Sequence, residues 1–463
     1  MLSTEENELL TQVGPSTPGG DLMRKYWHPI AATETFDSKP VQKVRILGEE
    51  LSLYKDRSGK YGLLELNCPH RMTSLEYAIP EESGLRCAYH GWLFNEKGQC
   101  LEMPLDPPDS TFPEKIQITN YPVEEMGGLI WAYLGPEPMP LLPQWDLFVR
   151  PGGFRQIVAH ILPCNWLQVM ENRGDLGHAV YLHGRLAQYA LELQGLLTDD
   201  PQARYNATMK AQKDRLDKGV YTKYRPVWNK FGFTKGNLES DKSESEPSWT
   251  VGSNSILFPY LLSFEPYAPG TIRKSYQIGV PLDDTHTWHL QYFYYDFPDG
   301  VDVPEQESIP YAEVDLYYEN GEPILDNVLS QDMNAWWAQG NITDRTREHL
   351  GVSDVCVIAY RRLLKEQIQV VQDGGEPMNI FWNKSEAHRP ELASRRLERA
   401  GVHRRGGENA LRPQPRGLHL AVRDGGPRPV PEGPRGGLAG DARSSFSARL
   451  DELLTLSSAG WPV

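Results

Sequence analysis

Two pairs of metal-binding side chains stand close together in the first quarter of the chain. They are Cys68-Pro-His70 and, after sixteen intervening residues, Cys87-Ala-Tyr-His90. One tight loop can supply each pair, so two loops facing one another would present two thiolates and two imidazoles. That inventory suits a [2Fe–2S] cluster in which histidines replace cysteines on one iron, which raises the reduction potential and makes an electron relay. It also suits a tetrahedral Cys2His2 zinc site, and spacing alone leaves both open. Cys100, Cys164 and Cys356 read as small core residues rather than ligands.

A second constellation runs through Asn172-Arg-Gly-Asp175-Leu-Gly-His178-Ala-Val-Tyr-Leu-His183-Gly184. Asp175 and His178, three apart, would share a helix face. His178 and His183, five apart at ~100° per residue, fall ~140° out of line on a straight helix. Both can face one metal only where the helix ends or deforms, which Gly177 and Gly184 permit. Two histidines and a carboxylate make the facial triad of non-haem Fe(II) oxygenases, with positions left open for dioxygen. The carboxylate must come from elsewhere in the chain. Asp332 in Leu329-Ser-Gln-Asp332-Met-Asn-Ala-Trp336 is the best candidate, because it stands at the start of a predicted helix. Asp326 reads as loop, and Asp344 and Asp354 read as helix starts near the positive dipole end.

The elements that must position these groups fall into two patterns. Between about residues 40 and 140 short apolar runs (Val44–Leu47, Leu51–Tyr54, Gly62–Leu66, Gly128–Leu134) alternate with turns such as Asp56-Arg-Ser-Gly59 and Asn95-Glu-Lys-Gly98, which predicts a small all-β domain. A Pro-rich stretch, Pro136–Pro151, marks its end. Beyond it helices and strands mix. Asn165 with Gln168 has the spacing of a capping box. Residues 186–217 are helix-compatible, residues 219–247 show no clear period, and strands return between Trp249 and Tyr295. Helices are predicted around Ser330–Gln339 and from Ser353 to about Val371. The divisions expected are an arm over 1–26, a cluster domain over 27–140, an iron domain over 150–385 and a tail over 386–463.

The text around the ligands carries a family resemblance. Cys-Pro-His-Arg and Cys-x-Tyr-His-Gly-Trp-x-Phe resemble the Rieske oxygenases. Residues 1 to about 385 look like the oxygenase component of a Rieske non-haem iron aromatic-ring oxygenase, of the phthalate dioxygenase and aryl O-demethylase branch. Asn7–Gly14, Arg24–Pro29 and Gly340–Asp354 are similar to that branch. The resemblance implies an α+β chain: an N-terminal all-β Rieske domain followed by a helix-grip catalytic domain with a curved antiparallel sheet. It implies a [2Fe–2S] cluster on Cys68, His70, Cys87 and His90, and a mononuclear Fe(2+) on His178, His183 and Asp332. Asp175 matches the residue that bridges to a cluster histidine of a neighbouring subunit, which implies a ring-shaped homo-oligomer, a trimer or a multiple of one. Asn172 resembles the family's pocket-side Asn, and a helix-end hydrogen-bonding role fits it as well.

The reaction so implied is reductive activation of dioxygen on a small aromatic acid. The chain has no Gly-rich dinucleotide fingerprint after a strand, so electrons would come from a separate NAD(P)H reductase, with or without a ferredoxin. Tyr205, Tyr221, Tyr224, Arg225, Trp228, Lys230, Phe231 and Phe233 could wall a pocket for an aryl carboxylate, or could pack over a surface flap. O-demethylation of a methoxylated acid, biaryl acids included, is the favoured expectation; ring dihydroxylation of a phthalate-like acid is the alternative. A Rieske electron carrier without its own chemistry is the reading from another class.

Composition sets the outer bounds. With 47 basic against 62 acidic residues the formal charge is −15, the opposite of a nucleic-acid footprint. Hydrophobic residues are 39% of the chain and charged residues 24%, a globular balance without a membrane-length apolar run. Five cysteines make no disulfide framework, and the first residues lack signal-peptide character, so a cytoplasmic location is expected. After Ser385 lysine disappears and Arg/Gly/Pro runs take over. That composition suits a disordered Arg-rich tail, or translation of GC-rich DNA out of frame.

Overall fold

A computed structural model of the chain describes residues 1–200, 203–245, 250–264, 273–297, 303 and 305–388. The Arg-rich segment, from position 389 on, lies outside the described residues.

The first part builds three small antiparallel sheets. Trp27–Ala32, Leu129–Tyr133 and Val123–Met126 form one. Val41–Ile46, Glu49–Lys55, Tyr61–Glu65 and Asn120–Tyr121 form the second, and Ile79–Glu81, Gly84–Arg86, Leu93–Phe94 and Cys100–Glu102 the third. The hairpin from Val41 to Lys55 turns on Leu47 and Gly48, both at positive φ (49° and 80°), as a two-residue turn that follows strand twist requires. Its tip is fastened to the rest of the chain: Leu47 N donates to Pro281 O (3.1 Å) and Gly48 N to Leu282 O (2.8 Å).

The second part is an eight-stranded sheet with helices. Its strands are β1 (Phe154–Leu162), β2 (Thr222–Asn229), β3 (Gly232–Glu239), β4 (Thr250–Leu257), β5 (Leu261–Phe264), β6 (Arg273–Asp283), β7 (His286–Tyr295) and β8 (Tyr311–Glu313). They lie in the order β2-β3-β4-β5-β6-β7-β1-β8, antiparallel except for β8, which runs parallel to β1. Three helices matter here: α1 (Trp166–Gly174), α2 (Val328–Trp337) and α3 (Val355–Gln372). Alternation assigns the faces of the sheet. Tyr276 and Ile278 on β6, with Leu290 and Tyr292 on β7, enter one core with Trp131, Tyr133 and Phe148. The residues between them, Gln277, Gly279, His289 and Gln291, therefore face the other way, where Gly279 meets Val169 and Arg173 of α1.

Two local expectations are corrected. Residues 219–247, for which the sequence showed no clear period, contain the hairpin β2–β3. No period was visible because β2 is an edge strand, half-buried along most of its length, and a bulge between Thr234 and Gly236 breaks the alternation of β3. Asn165 caps α1 through a bond from Leu167 N (3.0 Å), but Gln168 closes no capping box. Gln168 is buried, and its amide instead donates to Trp336 O (2.8 Å) and Gly340 O (3.0 Å) while accepting from Thr343 N (3.0 Å). That ties α1 to the end of α2.

Candidate metal centres

Cys68 and Cys87 sit in two turns of matching design. Each cysteine carbonyl accepts from the amide four residues on (Met72, 2.9 Å; Gly91, 3.0 Å). Each cysteine amide donates to the carbonyl five residues on (Thr73, 2.9 Å; Trp92, 2.8 Å). The fourth residue has positive φ in both, 58° at Met72 and 79° at Gly91. At Gly91 a Cβ would also stand 2.7 Å from Pro104 Cγ, so a side chain has no room there. The turns bring the buried thiols of Cys68 and Cys87 together and set the His70 and His90 rings edge to face at 4.4 Å. His70 also stacks on Trp92 at 4.7 Å.

The donor chemistry fits an iron–sulfur cluster better than a single zinc ion. Burial pushes the Cys68 thiol up to about 12 despite a hydrogen bond from the His70 amide, and the adjacent Cys87 pushes the same way, so a cation is needed to hold Cys68 as a thiolate. His90 Nδ1 is buried without a hydrogen-bond partner among the described residues, the environment of a nitrogen reserved for a metal. Donors held 2.0–2.3 Å from one zinc lie within about 4.6 Å of one another. Among the described residues only His178, His183 and Asp332 converge that tightly, so the two cysteines and two histidines are spread as ligands divided between two irons would be.

At the second constellation α1 ends on Asp175, its C-cap, so Asp175 and His178 do not share a helix face as their spacing suggested. The chain turns there instead, and the Asp175 carboxylate accepts from Gly177 N (2.7 Å), His178 N (3.0 Å) and His178 Nδ1 (3.0 Å). Burial pushes the Asp175 carboxyl up, but the bonds from His178 and the two amides outweigh it and hold it below the usual range. The helix resumes at His178–Val180 and widens into an i→i+5 turn over Tyr181–Leu186. Such a turn makes residues five apart neighbours. The His178 and His183 rings accordingly meet at 5.1 Å. This is the deformation the spacing demanded.

Asp332 lies on the second turn of α2, not at its start, because the helix begins earlier with Asn327 capping Ser330 N (2.9 Å). Its Oδ1 is 3.2 Å from His183 Nε2 and 3.7 Å from His178 Nε2. That oxygen is buried and makes no hydrogen bond among the described residues, as a metal-binding carboxylate oxygen would. The other carboxylates are spent locally: Asp326 accepts from Tyr318 Oη, Asp344 from Thr346 and Asp354 from Gly351 N. Asn172 lines a cleft of about 500 Å³ with Asp175, His178, Trp336 and Arg361.

Three residues escaped the sequence. Gln331 accepts from His183 Nδ1 (2.9 Å) and donates to Leu325 O (2.6 Å), which fixes the ring with Nε2 toward Asp332. Its only signal was a polar side chain beside a candidate ligand. Glu171 is buried between Arg345 (2.7 Å) and Arg361 (2.6 Å) on the outer side of α1. Lys235, buried on β3, donates to Asp175 O (3.2 Å), and burial lowers its ammonium to about 8. The expected aromatic wall does not form one surface. Phe231 and Phe233 belong to the core, whereas Tyr221 and Trp228 are more than half exposed.

Comparison with known proteins agrees with this geometry. Residues 26–122 match the Rieske [2Fe-2S] domain, and residues 324–394 match the family described as LigXa C-terminal domain like. The chain is 37% identical over 384 residues to the 5,5'-dehydrodivanillate O-demethylase oxygenase subunit of Sphingobium sp. (strain NBRC 103272 / SYK-6), covering 82% of this chain and 84% of that protein. The chain belongs to the Rieske oxygenases. Other relatives of this Rieske oxygenase include the phenoxybenzoate dioxygenase subunit alpha of Ectopseudomonas oleovorans (33% identical, 82% and 88% covered) and the phthalate 4,5-dioxygenase oxygenase subunit of Pseudomonas putida (29%, 81% and 88%). The fold is shared with the Pseudomonas putida CBB5 NdmA structure (TM-score 0.54, 20% identity, 81% of this chain and 96% of that one). Its cofactors are thus a Rieske [2Fe–2S] cluster and a catalytic iron, for which the His178, His183 and Asp332 group has suitable donors. No helix among the described residues is long and apolar enough to cross a membrane.

Proposed function

We propose that this Rieske oxygenase O-demethylates a methoxylated aromatic acid, lignin-derived biaryl acids among the candidates, with electrons delivered from NAD(P)H by a separate reductase, with or without a ferredoxin. The observation that carries the reading is the 37% identity to a dehydrodivanillate O-demethylase subunit across most of both chains. Cys68, His70, Cys87 and His90 hold the cluster; His178, His183 and Asp332 hold the iron. When bound, the cluster supplies single electrons and the iron activates dioxygen. The chain's own part is orientation. Asp175 and Gln331 each take the outer nitrogen of one iron histidine, which fixes its tautomer and leaves Nε2 for the metal. Asp175 also bridges to the cluster histidine of a neighbouring subunit in a trimer-based ring, and Asn172 faces the cleft beside it. The location is cytoplasmic.

The balance is one methoxyarene, one dioxygen, two electrons and two protons giving one hydroxymethyl ether and one water. The hemiacetal then collapses to the phenol and formaldehyde. The test is aerobic incubation of the iron-loaded protein with a generic reductase, NADH and a panel of methoxybenzoates and phthalates. Stoichiometric formaldehyde with the phenol is expected. A cis-dihydrodiol from phthalate without formaldehyde would establish ring dihydroxylation instead, the reaction class that the 29% identity to a phthalate dioxygenase favours.

A further inference from the structure

Helix α1 carries two buried charges on opposite sides, and only one of them is neutralised. Glu171 faces outward to Arg345 and Arg361. Arg173, two residues on, faces the sheet with Val169 against Gly279 and is 1% exposed. Its Nη1 donates to Tyr260 O (3.3 Å) and lies 3.2 Å from Met170 Sδ. Its Nε and Nη2 have no hydrogen-bond partner among the described residues. A buried guanidinium without a partner is among the costliest groups a fold can keep. Nε and Nη2 are moreover the adjacent pair that forms a side-on fork for a carboxylate.

Further buried polar groups without partners among the described residues stand nearby. Gly279 lacks the side chain whose Cβ would stand 3.3 Å from Arg173 Nη1. Its cross-strand partner is His289, which is buried, with Nε2 also unpartnered among the described residues, and which meets Trp336 edge to face at 5.0 Å. The Trp336 indole nitrogen is a third buried donor without a partner, and Trp336 lies one helical turn beyond Asp332 on α2. The nearby charged groups are Lys235, which adds to the positive field, and Asp332, which is not within ion-pair distance of Arg173.

We propose that Arg173 is the specificity-determining anchor for the substrate's carboxylate, pairing through Nε and Nη2 between α1, α2 and the β6–β7 strands, with His289 and Trp336 as neutral donors beside it. The proposal rests on the aromatic-acid reading above and names the residue that recognises the acid. It replaces the aromatic and cationic side chains of 204–262 in that role.

The test is binding, so that it stands or falls apart from turnover. Calorimetric titration of the full-length, iron-loaded protein with 3-methoxybenzoate and with 3-methoxybenzamide should show the acid bound more tightly by about 10²-fold or more. Arg173→Gln should erase that preference while amide binding changes less than about threefold, and Arg173→Lys should restore part of it. Cluster absorbance and far-UV circular dichroism report whether each variant folds. A wild type without preference for the acid, or a folded Arg173→Gln that keeps it, overturns the proposal. Should Arg173→Gln not fold, a crystal structure of the wild type with the acid decides: a carboxylate within 3.2 Å of Arg173 Nε or Nη2 supports the anchor, and one elsewhere refutes it. Formaldehyde release with no acid preference would sink the anchor alone; acid preference without formaldehyde would sink the demethylase reading alone.

Discussion

Gln331 is the residue on which the iron site's geometry makes its sharpest demand. The Leu325 carbonyl can only accept, so the Gln331 amide nitrogen must point to it at 2.6 Å. Oε1 is then the atom facing His183 Nδ1 at 2.9 Å, and that ring nitrogen must be the donor. The metal-facing Nε2 therefore carries a lone pair before any ion arrives. Replacing Gln331 by Leu removes this acceptor, and losing the partner of a buried N–H costs about 1–3 kcal/mol. Paid when His183 turns to its alternative tautomer or rotamer, that corresponds to about a 10–100-fold loss of metal affinity, the usual scale for an orienting partner of a ligand histidine. Competition titration of Fe(II) or Co(II) against a chelator measures it, with the cluster absorbance unchanged as an internal control. Gln331→Glu separates the two contacts: it keeps an acceptor for His183 and loses the donor to Leu325 O, so it should bind metal at least as tightly as wild type. Wild-type affinity in Gln331→Leu, or equal weakening in both variants, would refute the orienting role.

Asp332→Ala should lower iron from three to two per chain while the visible spectrum of the [2Fe–2S] cluster persists, measured by metal analysis of reconstituted protein. Asp175→Asn removes the charge but keeps one oxygen to accept from His178 Nδ1, so it should leave all metals bound and stop turnover; coupled NADH use by the variant would contradict this. Glu171→Gln leaves Arg345 buried against a neutral amide, while Arg361 keeps its ion pair with Glu348, so the change should cost about 3 kcal/mol and speed amide exchange along α1. His28 is buried against Tyr260, and burial lowers it to about 4 from 6.5. The unfolded chain thus binds the extra proton between those values, so this contribution is complete above pH 6.5 and falls away as the pH drops toward 4, by on the order of 3 kcal/mol. In urea titrations the stability of the wild type relative to His28→Phe should fall by that amount across the window.

The cluster loops were legible because their chemistry is local. Cysteine and histidine two or three residues apart fall within one turn, and the positive φ at Gly91 is announced by its residue type. Met72 adopts the same conformation without announcing it. The iron histidines were half legible. Their five-residue spacing stated that a regular helix would fail, but not that the failure would be a wide turn over Tyr181–Leu186, because that turn is set by what packs against it.

What stayed hidden was everything decided by which side of an element faces what. Asp332 was identified from its place in a helix, yet nothing in its neighbours marked Gln331, one residue before it, as the partner of a histidine 148 positions away. The same holds on α1, where Glu171 and Arg173 look in sequence like an ordinary local pair of opposite charges. Residues two apart on a helix stand about 200° apart, so they cannot pair with each other and must each find or lack a partner on a separate face. Glu171 finds two arginines from beyond position 340, and Arg173 finds only a carbonyl and a thioether for one of its nitrogens. A helix whose outer acid is doubly neutralised and whose inner base is not has its charge asymmetry aimed at the sheet, the side on which the proposed anchor would meet a carboxylate.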